Sequence, residues 1–391
     1  METIDKIRPV WSEINLDNLI HNLNQIKKLT DDNTEIMAVV KADSYGHGSI
    51  EISKTLIAEG VKRLSVATLS EAIELRDAGI DVDILILGYT PRNQFKYIVK
   101  YDITQTIYDY DAACELSKAA EYMNKTAKVH VKIDTGMSRL GFRSEETAVK
   151  EILKIKELSN IYLEGIFSHF ASADEVDKSF ARVQYDEFMS LIYKLDEANL
   201  NIDIKHISNS AAIIDLPKYQ MNLVRAGISL YGLYPSKEVR VDAIDLKPVM
   251  TLKTQISNMK KVPKGTGISY GQVFTTSEES VIATIPIGYA DGFSRLLNGE
   301  HLVTVNGKKV DVVGKICMDQ CMLNVTEVKN LYIDKEVVVF GEGKNVNSAE
   351  ELAENLGTIS YEVVCMISRR VPRVYKRNGK IVKVVDYLAN C

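Results

Sequence analysis

A lysine directly after an apolar run is the first residue of the chain whose position suggests chemistry. The run Ile36–Val40 is typical of a short buried strand, and Lys41 ends it before a polar, glycine-bearing turn. Tyr45 and His47 lie in that turn, within the stretch Ala38–Gly48. A lysine there can form a Schiff base with an aldehyde cofactor. A solvated lysine that caps a strand would show the same pattern, so this stretch alone leaves both interpretations open.

Further candidate residues belong to strand-like runs later in the chain or come directly after them. The polar ones are Lys132, Asp134, Arg139, His169, Asn209, Ser210 and Arg225, and Gly227 and Ile228 accompany Arg225. Taken singly, His169 is more typical of a core histidine and Arg225 of a surface ion-pair partner. In a parallel barrel, however, the carboxyl ends of the strands meet at one mouth, where active sites form. The shared position after strands therefore predicts one polar site at that mouth.

The elements that must position these residues alternate between strand and helix. A strand over Pro9–Ile14 and a helix over Leu16–Ile26 come first. Eight strand-like runs then follow, at Ile36–Val40, Leu64–Thr68, Ile84–Leu87, Thr104–Tyr108, Lys128–Ile133, Tyr162–Ser168, Ile204–Ser208 and Leu223–Leu230. Amphipathic segments such as Ser70–Ala78, Glu146–Glu157 and Phe180–Asn199 lie between them. This alternation predicts an α/β protein with an N-terminal (β/α)8 TIM barrel. A doubly wound sheet is the alternative, but the glycine fingerprint that often accompanies it is missing.

The character of the chain changes near Asp245. Asn306-Gly307 and Asn378-Gly379 are strong hairpin signals, and one helix is predicted over Ser348–Asn355 with Gly357 as its stop. Strands are predicted at Val281–Ile287, Leu302–Val305, Val310–Cys317, Met322–Val325, Glu336–Phe340 and Val363–Ile367. We therefore predict a barrel domain over residues 12–244 and a second, mainly β C-terminal domain over 245–391. The N-terminal strand segment, residues 1–11, is expected to join the second domain.

Composition and charge exclude several classes of partner. The 391 residues are 46% hydrophobic and 26% charged, with a net charge of −5. The sequence has no dense block of Lys and Arg, so neither nucleic acid nor an anionic membrane is an expected partner. No apolar run reaches the ~18 residues of a membrane span, and the segment Met1–Val10 lacks the core of a signal peptide. The chain is therefore expected to be cytoplasmic.

The cysteines are sparse and odd in number. They are Cys114, Cys317, Cys321, Cys365 and Cys391. An odd, sparse set favours reduced thiols in a cytosol. Cys317 and Cys321 lack a second Cys or His pair nearby, so no metal site is predicted and both are interpreted as buried strand residues.

The stretch Ala38–Gly48 resembles the cofactor-lysine motif of the alanine racemases, which bind pyridoxal 5'-phosphate (PLP). The resemblance continues in order along nearly the whole chain, through the segments 132–141, 167–171, 206–212, 223–228, 267–271 and 316–320. It implies that Lys41 carries PLP. It also implies that Tyr45, Ser210, Gly227, Ile228 and Tyr361 hold the phosphate, with Asn209 beside them. By the same resemblance, His169 packs by the cofactor ring and Arg225 faces the pyridine nitrogen. Arg139 approaches the phenolic oxygen and is positioned by Lys132.

Two of these implied residues have consequences that follow from their charge. A guanidinium does not act as a proton acid at neutral pH, so Arg225 should leave the ring nitrogen largely unprotonated. That weakens the electron sink and should suppress side reactions such as transamination. Two cations at Lys132 and Arg139 would repel each other. The family often carries a carbamylated lysine at this position, and the same modification is expected at Lys132.

Racemisation requires a proton to leave one face of Cα and to arrive on the other, and two opposed bases do this simply. Lys41 is one base. Tyr270 matches the tyrosine base of the family, which the other subunit donates; without the resemblance, a tyrosine that packs across strands would be the preferred interpretation. By the same resemblance, the other subunit also donates Met318 and Asp319, and the Met318 amide meets the substrate carboxylate. A homodimer with shared active sites is therefore expected.

Access to the site is also implied by the resemblance alone. Tyr289, Tyr361 and Ala171 are expected nearest the cofactor. Asp174, Arg295, Lys315 and Ile359 are expected farther out. Lys315 departs from the family, which usually has arginine there, so the charge of the access path is open. A narrow path would suit a small substrate such as alanine.

These points predict a PLP-dependent racemase that interconverts L- and D-alanine and supplies D-alanine for peptidoglycan. A serine or broad-specificity racemase, or a decarboxylase on the same scaffold, is the first alternative. Arg225 argues against a decarboxylase, which should have a carboxylate near the pyridine nitrogen. A non-catalytic PLP-binding protein is the second alternative, and the β domain with Tyr270 and Met318 argues against it.

Overall fold

A strand and a helix begin the described part of the chain. The computed structural model describes residues 7–143, 145–297 and 299–389. β1 (Val10–Asn15) leads directly into α1 (Leu16–Leu29), and the Asn15 side chain accepts hydrogen bonds from the backbone N–H groups of Asp17 and Asn18 at 3.0 and 3.1 Å. This cap pairs two of the N–H groups that a helix start leaves unsatisfied. The predicted strand and helix are confirmed. Residues 1–6 and Cys391 lie outside the described residues.

Eight parallel strands form the predicted barrel. They are β2 (Glu35–Val39), β3 (Arg63–Val66), β4 (Asp83–Ile86), β5 (Thr104–Ile107), β6 (Ala127–Lys132), β7 (Ile161–Phe167), β8 (Ile204–His206) and β9 (Leu223–Ala226). They pair in the order β8-β7-β6-β5-β4-β3-β2-β9. The backbone N–H of Arg225 donates to the carbonyl of Ser208 at 3.1 Å, which brings the two edges together. The sheet is therefore a nearly closed barrel, and the predicted fold class is confirmed.

Helices connect the strands and cover the barrel. The segment α2 (Lys41–Tyr45) is a single turn in which Ala42 to Tyr45 have left-handed backbone angles, and the helices are α3 (Ser49–Ala58), α4 (Leu69–Asp77), α5 (Phe95–Lys100), α6 (Tyr110–Tyr122), α7 (Glu145–Lys156), α8 (Ser179–Glu197) and α9 (Ser210–Asp215). Buried apolar side chains such as Ile152 of α7 and Leu191 of α8 belong to one continuous core with the strands. The prediction that the eighth strand reaches Leu230 is wrong. The strand ends at Ala226, and residues Ile228–Tyr231 form a 3-10 turn after Gly227.

The C-terminal part forms a ten-stranded sheet. Its further strands are β10 (Met250–Gln255), β11 (Asn258–Val262), β14 (Ser280–Ile285), β15 (Gly299–Val305), β16 (Lys308–Val313), β17 (Cys321–Asn324), β18 (Glu336–Phe340), β19 (Arg373–Arg377) and β20 (Lys380–Val385), while β12 (Gly267–Ile268) and β13 (Phe274–Thr275) pair separately. The order is β11-β14-β17-β16-β15-β18-β10-β1-β19-β20. β1 thus lies between β10 and β19 of this sheet.

The turn and helix signals of this part are confirmed. Asn306-Gly307 and Asn378-Gly379 connect β15 to β16 and β19 to β20, and all four residues have positive φ, as a two-residue hairpin turn requires. α10 (Ala349–Leu356) begins after Ser348, whose side chain forms a capping box with Glu351, and it ends at Gly357.

Two predictions for this part are wrong. Val363–Ile367 is not a strand, because α11 (Ser360–Cys365) runs through it. The buried residues Ser360, Val363, Val364 and Ile367 are spaced three and four apart, which is the helical period. The β-branched composition of the segment suggested a strand, but burial on one helical face decided the outcome. Cys321 is buried in β17 as expected, whereas Cys317 precedes that strand and is only half-buried. In the described chain, no helix is both long and apolar enough to cross a membrane.

Candidate active site

The segment after β2 carries Lys41 in a left-handed turn. Ala42, Asp43, Ser44 and Tyr45 all have φ between 52° and 54°. For residues with a side chain this conformation costs roughly 1–2 kcal/mol each. The sequence predicted a polar turn here but not its hand. Strain of this kind persists only where the surroundings impose it.

The C-terminal domain holds this turn in place. The fully buried Arg373 donates from Nε to the carbonyl of Gly46 at 2.9 Å, and Tyr375 donates its hydroxyl to the carbonyl of His47 at 3.0 Å. Gly46 has φ +81°, and a Cβ there would lie 2.2 Å from the carbonyl oxygen of Val364. Only glycine fits this contact. The strained turn is therefore fixed by contacts from a distant part of the chain.

His47 is a structural residue of that turn. Its Nδ1 lies 3.0 and 2.9 Å from the carbonyl oxygens of Ser44 and Tyr45. Complete burial lowers the pKa of His47 to about 3, so the ring is neutral and Nδ1 donates one proton to these carbonyls. His47 does not line the cavity that contains Lys41.

A cavity of about 740 Å³ lies at the carboxyl ends of the barrel strands. It contains eleven of the residues that the sequence predicted for the site, namely Lys41, Tyr45, Lys132, Arg139, His169, Asn209, Ser210, Arg225, Gly227, Ile228 and Tyr361. Residues that the sequence analysis did not assign to the site also line it, including Ala67, Leu87, Gly88, Leu140, Phe167, Glu362 and Cys365. Ala67 and Leu87 directly follow β3 and β4, so the rule of strand ends could have found them.

Burial and neighbouring cations tune the two lysines of the cavity. The pKa of Lys41 is lowered, first by burial and then by the charge of Arg139. The pKa of Lys132 is lowered to about 7, first by burial and then by Arg225 and Arg139, against the opposing charge of Asp134. Lys132 donates to the carbonyl of Ile133 and lies 5.5 Å from the ring centre of Phe167. Both amines therefore lose their protons more easily than an exposed lysine.

Arg225 is buried, and its guanidinium group contacts several neighbouring side chains and carbonyls. Its NH1 group donates to Nδ1 of His206 at 2.7 Å. Its NH2 group donates to the carbonyls of Ser168 and Ile207, both at 2.9 Å, and lies 3.0 Å from Nδ1 of His169. A guanidinium has five N–H donors and no acceptor, so it presents N–H groups alone to whatever occupies the cavity.

A cradle of hydroxyl groups surrounds Gly227. The Ser210 hydroxyl oxygen accepts from the backbone N–H of Gly227 at 2.9 Å and from the Ser229 hydroxyl at 3.0 Å. A Cβ on Gly227 would lie 3.0 Å from the Tyr45 hydroxyl, so glycine keeps this space open. Within the described chain, no acceptor is placed for the hydroxyl protons of Ser210, Tyr45 or Tyr361. Free hydroxyl donors of this kind suit a phosphate, and an amine at Lys41 suits an aldehyde, so the residues fit PLP.

Five predicted residues lie apart from this cavity. Tyr270, Met318, Asp319, Tyr289 and Arg295 gather on the C-terminal sheet, where Tyr270 and Met318 are 67% and 53% exposed. Two hydrogen bonds connect parts of this group: the backbone N–H of Tyr289 donates to the Cys317 carbonyl at 3.1 Å, and the Arg295 side chain donates to the Ile316 carbonyl at 3.3 Å. Arg370 pairs with Asp319 at 2.8 Å. One protomer therefore does not bring Tyr270 into the Lys41 cavity.

Asp174 also lies outside the residues that line the cavity. It follows β7, and its carbonyl accepts from the Ser236 hydroxyl at 2.6 Å. Ile359, by contrast, lines the cavity itself. Among the described residues, no group of three or more His, Cys, Asp and Glu side chains is arranged to hold a metal ion.

Comparison with known proteins agrees with this architecture. The family model described as "Alanine racemase, N-terminal domain" matches residues 14–235, and "Alanine racemase, C-terminal domain" matches 249–375. The alanine racemase of Clostridium novyi is 50% identical over 98% of this chain and 99% of its own length. The structure of the alanine racemase of Clostridium difficile 630 is 48% identical, covers 99% of this chain and 100% of its own, and has a TM-score of 0.94.

A further solved structure carries a ligand. The alanine racemase of Bacillus anthracis with bound L-Ala-P is 39% identical, covers 98% of this chain and 99% of its own, and superimposes with a TM-score of 0.93. Family models and relatives thus span both the barrel and the β domain. The chain belongs to the alanine racemase family of PLP-dependent enzymes.

Proposed function

We propose that this protein interconverts L-alanine and D-alanine with PLP held in the Lys41 cavity. The observation that carries the proposal is the convergence of a buried amine, a donor-only arginine and a hydroxyl cradle in one cavity at the barrel mouth. Lys41 would hold the cofactor, and Tyr45, Ser210, Gly227, Ile228 and Tyr361 would hold its phosphate. Asn209 caps α9 by accepting from the N–H of Ala212 at 3.0 Å and so supports Ser210.

PLP, when bound, withdraws electrons from Cα of an amino acid attached to it and makes the Cα proton acidic. The residues of the chain must then move that proton. The Lys41 amine takes it up or returns it on one face of Cα, and its lowered pKa favours the neutral form that accepts a proton. His169 would pack beside the ring of PLP, and Arg225 would donate toward the pyridine nitrogen without protonating it. Arg139 would orient the phenolic oxygen, and the Met318 amide would orient the substrate carboxylate.

The second base would come from the partner subunit of a homodimer. Within the described chain, the Lys41 cavity offers no tyrosine other than Tyr45 and Tyr361, which belong to the proposed phosphate cradle. Tyr270 is exposed, and its neighbours Met318 and Asp319 are exposed with it. This exposed group supports a site that is completed across a dimer interface, where Tyr289, Arg295 and Asp174 would border the access path.

Lys132 is proposed to be carbamylated. Carbon dioxide reacts with a neutral amine, giving a carbamate and releasing a proton. A pKa of about 7 leaves about half of the Lys132 amine neutral at pH 7. The resulting anion would pair with Arg139 in place of the repulsion between two cations. Mass spectrometry that finds only a free amine under ample carbon dioxide would contradict this.

The cellular setting is proposed on the same basis. The product D-alanine would serve peptidoglycan synthesis, and the enzyme would act in the cytoplasm. We also propose that the two domains divide near residue 244. Nucleic acids and membranes have no role in this function.

The first test is incubation with PLP and L-alanine in deuterated water, followed by separation of the enantiomers. D-alanine with deuterium at Cα is expected. Exchange without inversion would contradict the roles of Lys41 and Tyr270. Neither exchange nor inversion, with PLP bound, would refute alanine as the substrate, and the same assay with serine measures breadth.

The second test addresses the shared site. Lys41→Ala and Tyr270→Phe should each inactivate a homodimer. Mixing the two variants under conditions that exchange subunits should recover about a quarter of wild-type activity, because half of the dimers are mixed and each of these has one intact site. No recovery, with mixed dimers demonstrated, would contradict a shared site.

A further inference from the structure

A line of polar side chains crosses the interior of the barrel below Arg225. Arg225 of β9 contacts His206 of β8 at 2.7 Å, and Nε2 of His206 lies 2.9 Å from Nδ1 of His130 in β6. Nε2 of His130 lies 2.9 Å from the carboxylate of Glu164 in β7. Arg63 of β3 contacts that carboxylate at 3.2 Å. Since β3 and β7 are not neighbours in the sheet, this last contact spans the barrel.

The donors and acceptors of this line have one consistent arrangement. Arginine only donates, so Nδ1 of His206 must accept. A neutral His206 then carries its proton on Nε2 and donates it to Nδ1 of His130. His130 in turn carries its proton on Nε2 and donates it to Glu164. Both imidazoles are therefore neutral, and every hydrogen bond points from Arg225 toward the carboxylate.

Electrostatics agree with this arrangement. His130 and His206 are fully buried, and burial lowers the pKa of both. Burial opposes ionisation of Glu164, but its contacts with His130 and Arg63 outweigh that effect and lower its pKa, so it stays an anion. Arg63 also contacts Glu35 at 2.9 Å and Asp83 at 3.1 Å.

Burying these polar and charged side chains inside the barrel lowers the stability of the fold, so we expect them to have a functional role. Barrel interiors are usually filled by branched apolar side chains, and burying charges is often less favourable than packing such residues. At its other end, Arg225 lies among the cations Lys132, Arg139 and Lys41. Phe167 fixes the same region, since its ring stacks on His206 at 4.7 Å and on the Arg225 guanidinium at 5.4 Å.

We propose that Glu164, His130 and His206 are positioning residues that fix the guanidinium of Arg225 in the orientation it presents to the cofactor. The carboxylate sets the direction of both imidazoles, and His206 thereby offers Arg225 an acceptor and never a donor. The inference rests on the proposed function, because it assumes that the cofactor ring faces Arg225.

Glu164→Gln tests the role of the charge with almost no change of shape. An amide has one acceptor end and one donor end. If its NH2 group faces His130, both imidazoles must reverse, and His206 would then point a proton at Arg225. Glu35→Gln is the matched control, because Glu35 also pairs with Arg63 but has no contact with His130. Glu164→Asp keeps the charge and should restore part of any loss.

The experiment compares these variants as PLP-loaded proteins by nitrogen NMR of labelled histidine and of PLP labelled at the ring nitrogen. In the wild type, the imidazoles of His130 and His206 are expected to be neutral with the proton on Nε2. Glu164→Gln should shift the resonances of His206 and of the ring nitrogen, whereas Glu35→Gln should not. With alanine, Glu164→Gln should lower kcat about tenfold and change KM less than about twofold.

Three results would overturn the inference. They are a protonated imidazole, an Nδ1–H tautomer of either histidine in the wild type, or equal effects of the two glutamine variants on the ring nitrogen. The NMR measurements need no substrate. A wild type that binds PLP but does not racemise alanine would therefore refute the proposed function, while the tautomers would still decide this inference.

Discussion

Replacing Lys132 by methionine is expected to stabilise the PLP-free protein at neutral pH. Lys132 is buried in the cavity wall, and its pKa is lowered from 10.5 to about 7. At pH 7 the folded state must therefore hold a partly protonated amine in surroundings that disfavour the charge. Methionine fills a similar volume beside Phe167 and carries no charge.

The size of the effect follows from the two pKa values. The shift of about 3.5 units, from 10.5 to about 7, corresponds to a cost of about 4 kcal/mol at pH 7. Loss of the hydrogen bond from Lys132 to the Ile133 carbonyl offsets about 1 kcal/mol of this. The net expected gain in the free energy of unfolding is about 3 kcal/mol.

The sign of the pH dependence can be stated in advance. Between pH 7 and 10.5 the unfolded chain binds more protons at Lys132 than the folded chain does, so wild-type stability rises with pH. The cost falls from about 4 kcal/mol at pH 7 to about 2 kcal/mol at pH 9. The advantage of Lys132→Met should therefore shrink by about 2 kcal/mol over this range.

Lys128 supplies the control, because it lies in the same strand and has the opposite shift. Its hydrogen bond to Asp83, at 2.8 Å, is the main reason that its pKa is raised. Lys128→Met should destabilise the protein, and the loss should be the same at pH 7 and pH 9, since the lysine is charged in both states throughout. Comparing the two variants separates burial of a charge from loss of an ion pair.

The assay is urea unfolding of PLP-free protein at one fixed concentration, from pH 6 to pH 9, in buffer purged of carbon dioxide. A difference between wild type and Lys132→Met that does not change with pH would refute the reasoning. Restoring bicarbonate should stabilise the wild type and leave the variant unchanged if Lys132 forms a carbamate. Racemase activity of Lys132→Met should fall, because Arg139 loses the carbamate that we propose as its partner.

Three further predictions concern the cavity and its support. Arg225→Glu should raise transamination relative to racemisation, because a carboxylate favours a protonated ring nitrogen; both products are measured in one reaction. Gly227→Ala should weaken PLP binding about tenfold in an absorbance titration, since the new methyl group would lie 3.0 Å from the Tyr45 hydroxyl. Arg373→Lys should lower the unfolding free energy by about 2–4 kcal/mol, because an ammonium cannot reach all the carbonyls that the guanidinium pairs, that of Gly46 among them.

Each of these has a result that would contradict it. An unchanged product ratio in Arg225→Glu would mean that ring protonation does not depend on this residue. Unchanged PLP affinity in Gly227→Ala would remove the hydroxyl cradle as the phosphate site. Wild-type stability of Arg373→Lys in urea unfolding would show that the buried guanidinium does not anchor the turn after Lys41.

Features with local causes could be predicted from the sequence. The alternation of strands and helices, the hairpins at Asn306 and Asn378 and the helix that stops at Gly357 depend on neighbouring residues, and all are confirmed. The sequence also predicted that Lys41, Arg225 and the other polar residues lie close together, because a parallel barrel brings all strand ends to one mouth. The strand predicted at Val363–Ile367 is wrong, because packing of one helical face outweighed the β-branched composition of the segment.

Other features exist only in the tertiary structure. The left-handed turn from Ala42 to Tyr45 is imposed by Arg373 and Tyr375, which are more than three hundred residues away in the chain. The separation of Tyr270 from the Lys41 cavity depends on how the second domain folds. No local pattern marks the line from Arg225 through the buried histidines to Glu164, since its members lie on different strands and meet across the barrel. The sequence by itself determined which chemical groups are present and at which mouth they gather. Their protonation and orientation were decided by burial and by contacts between distant segments, because desolvation and hydrogen bonding depend on every neighbour in space.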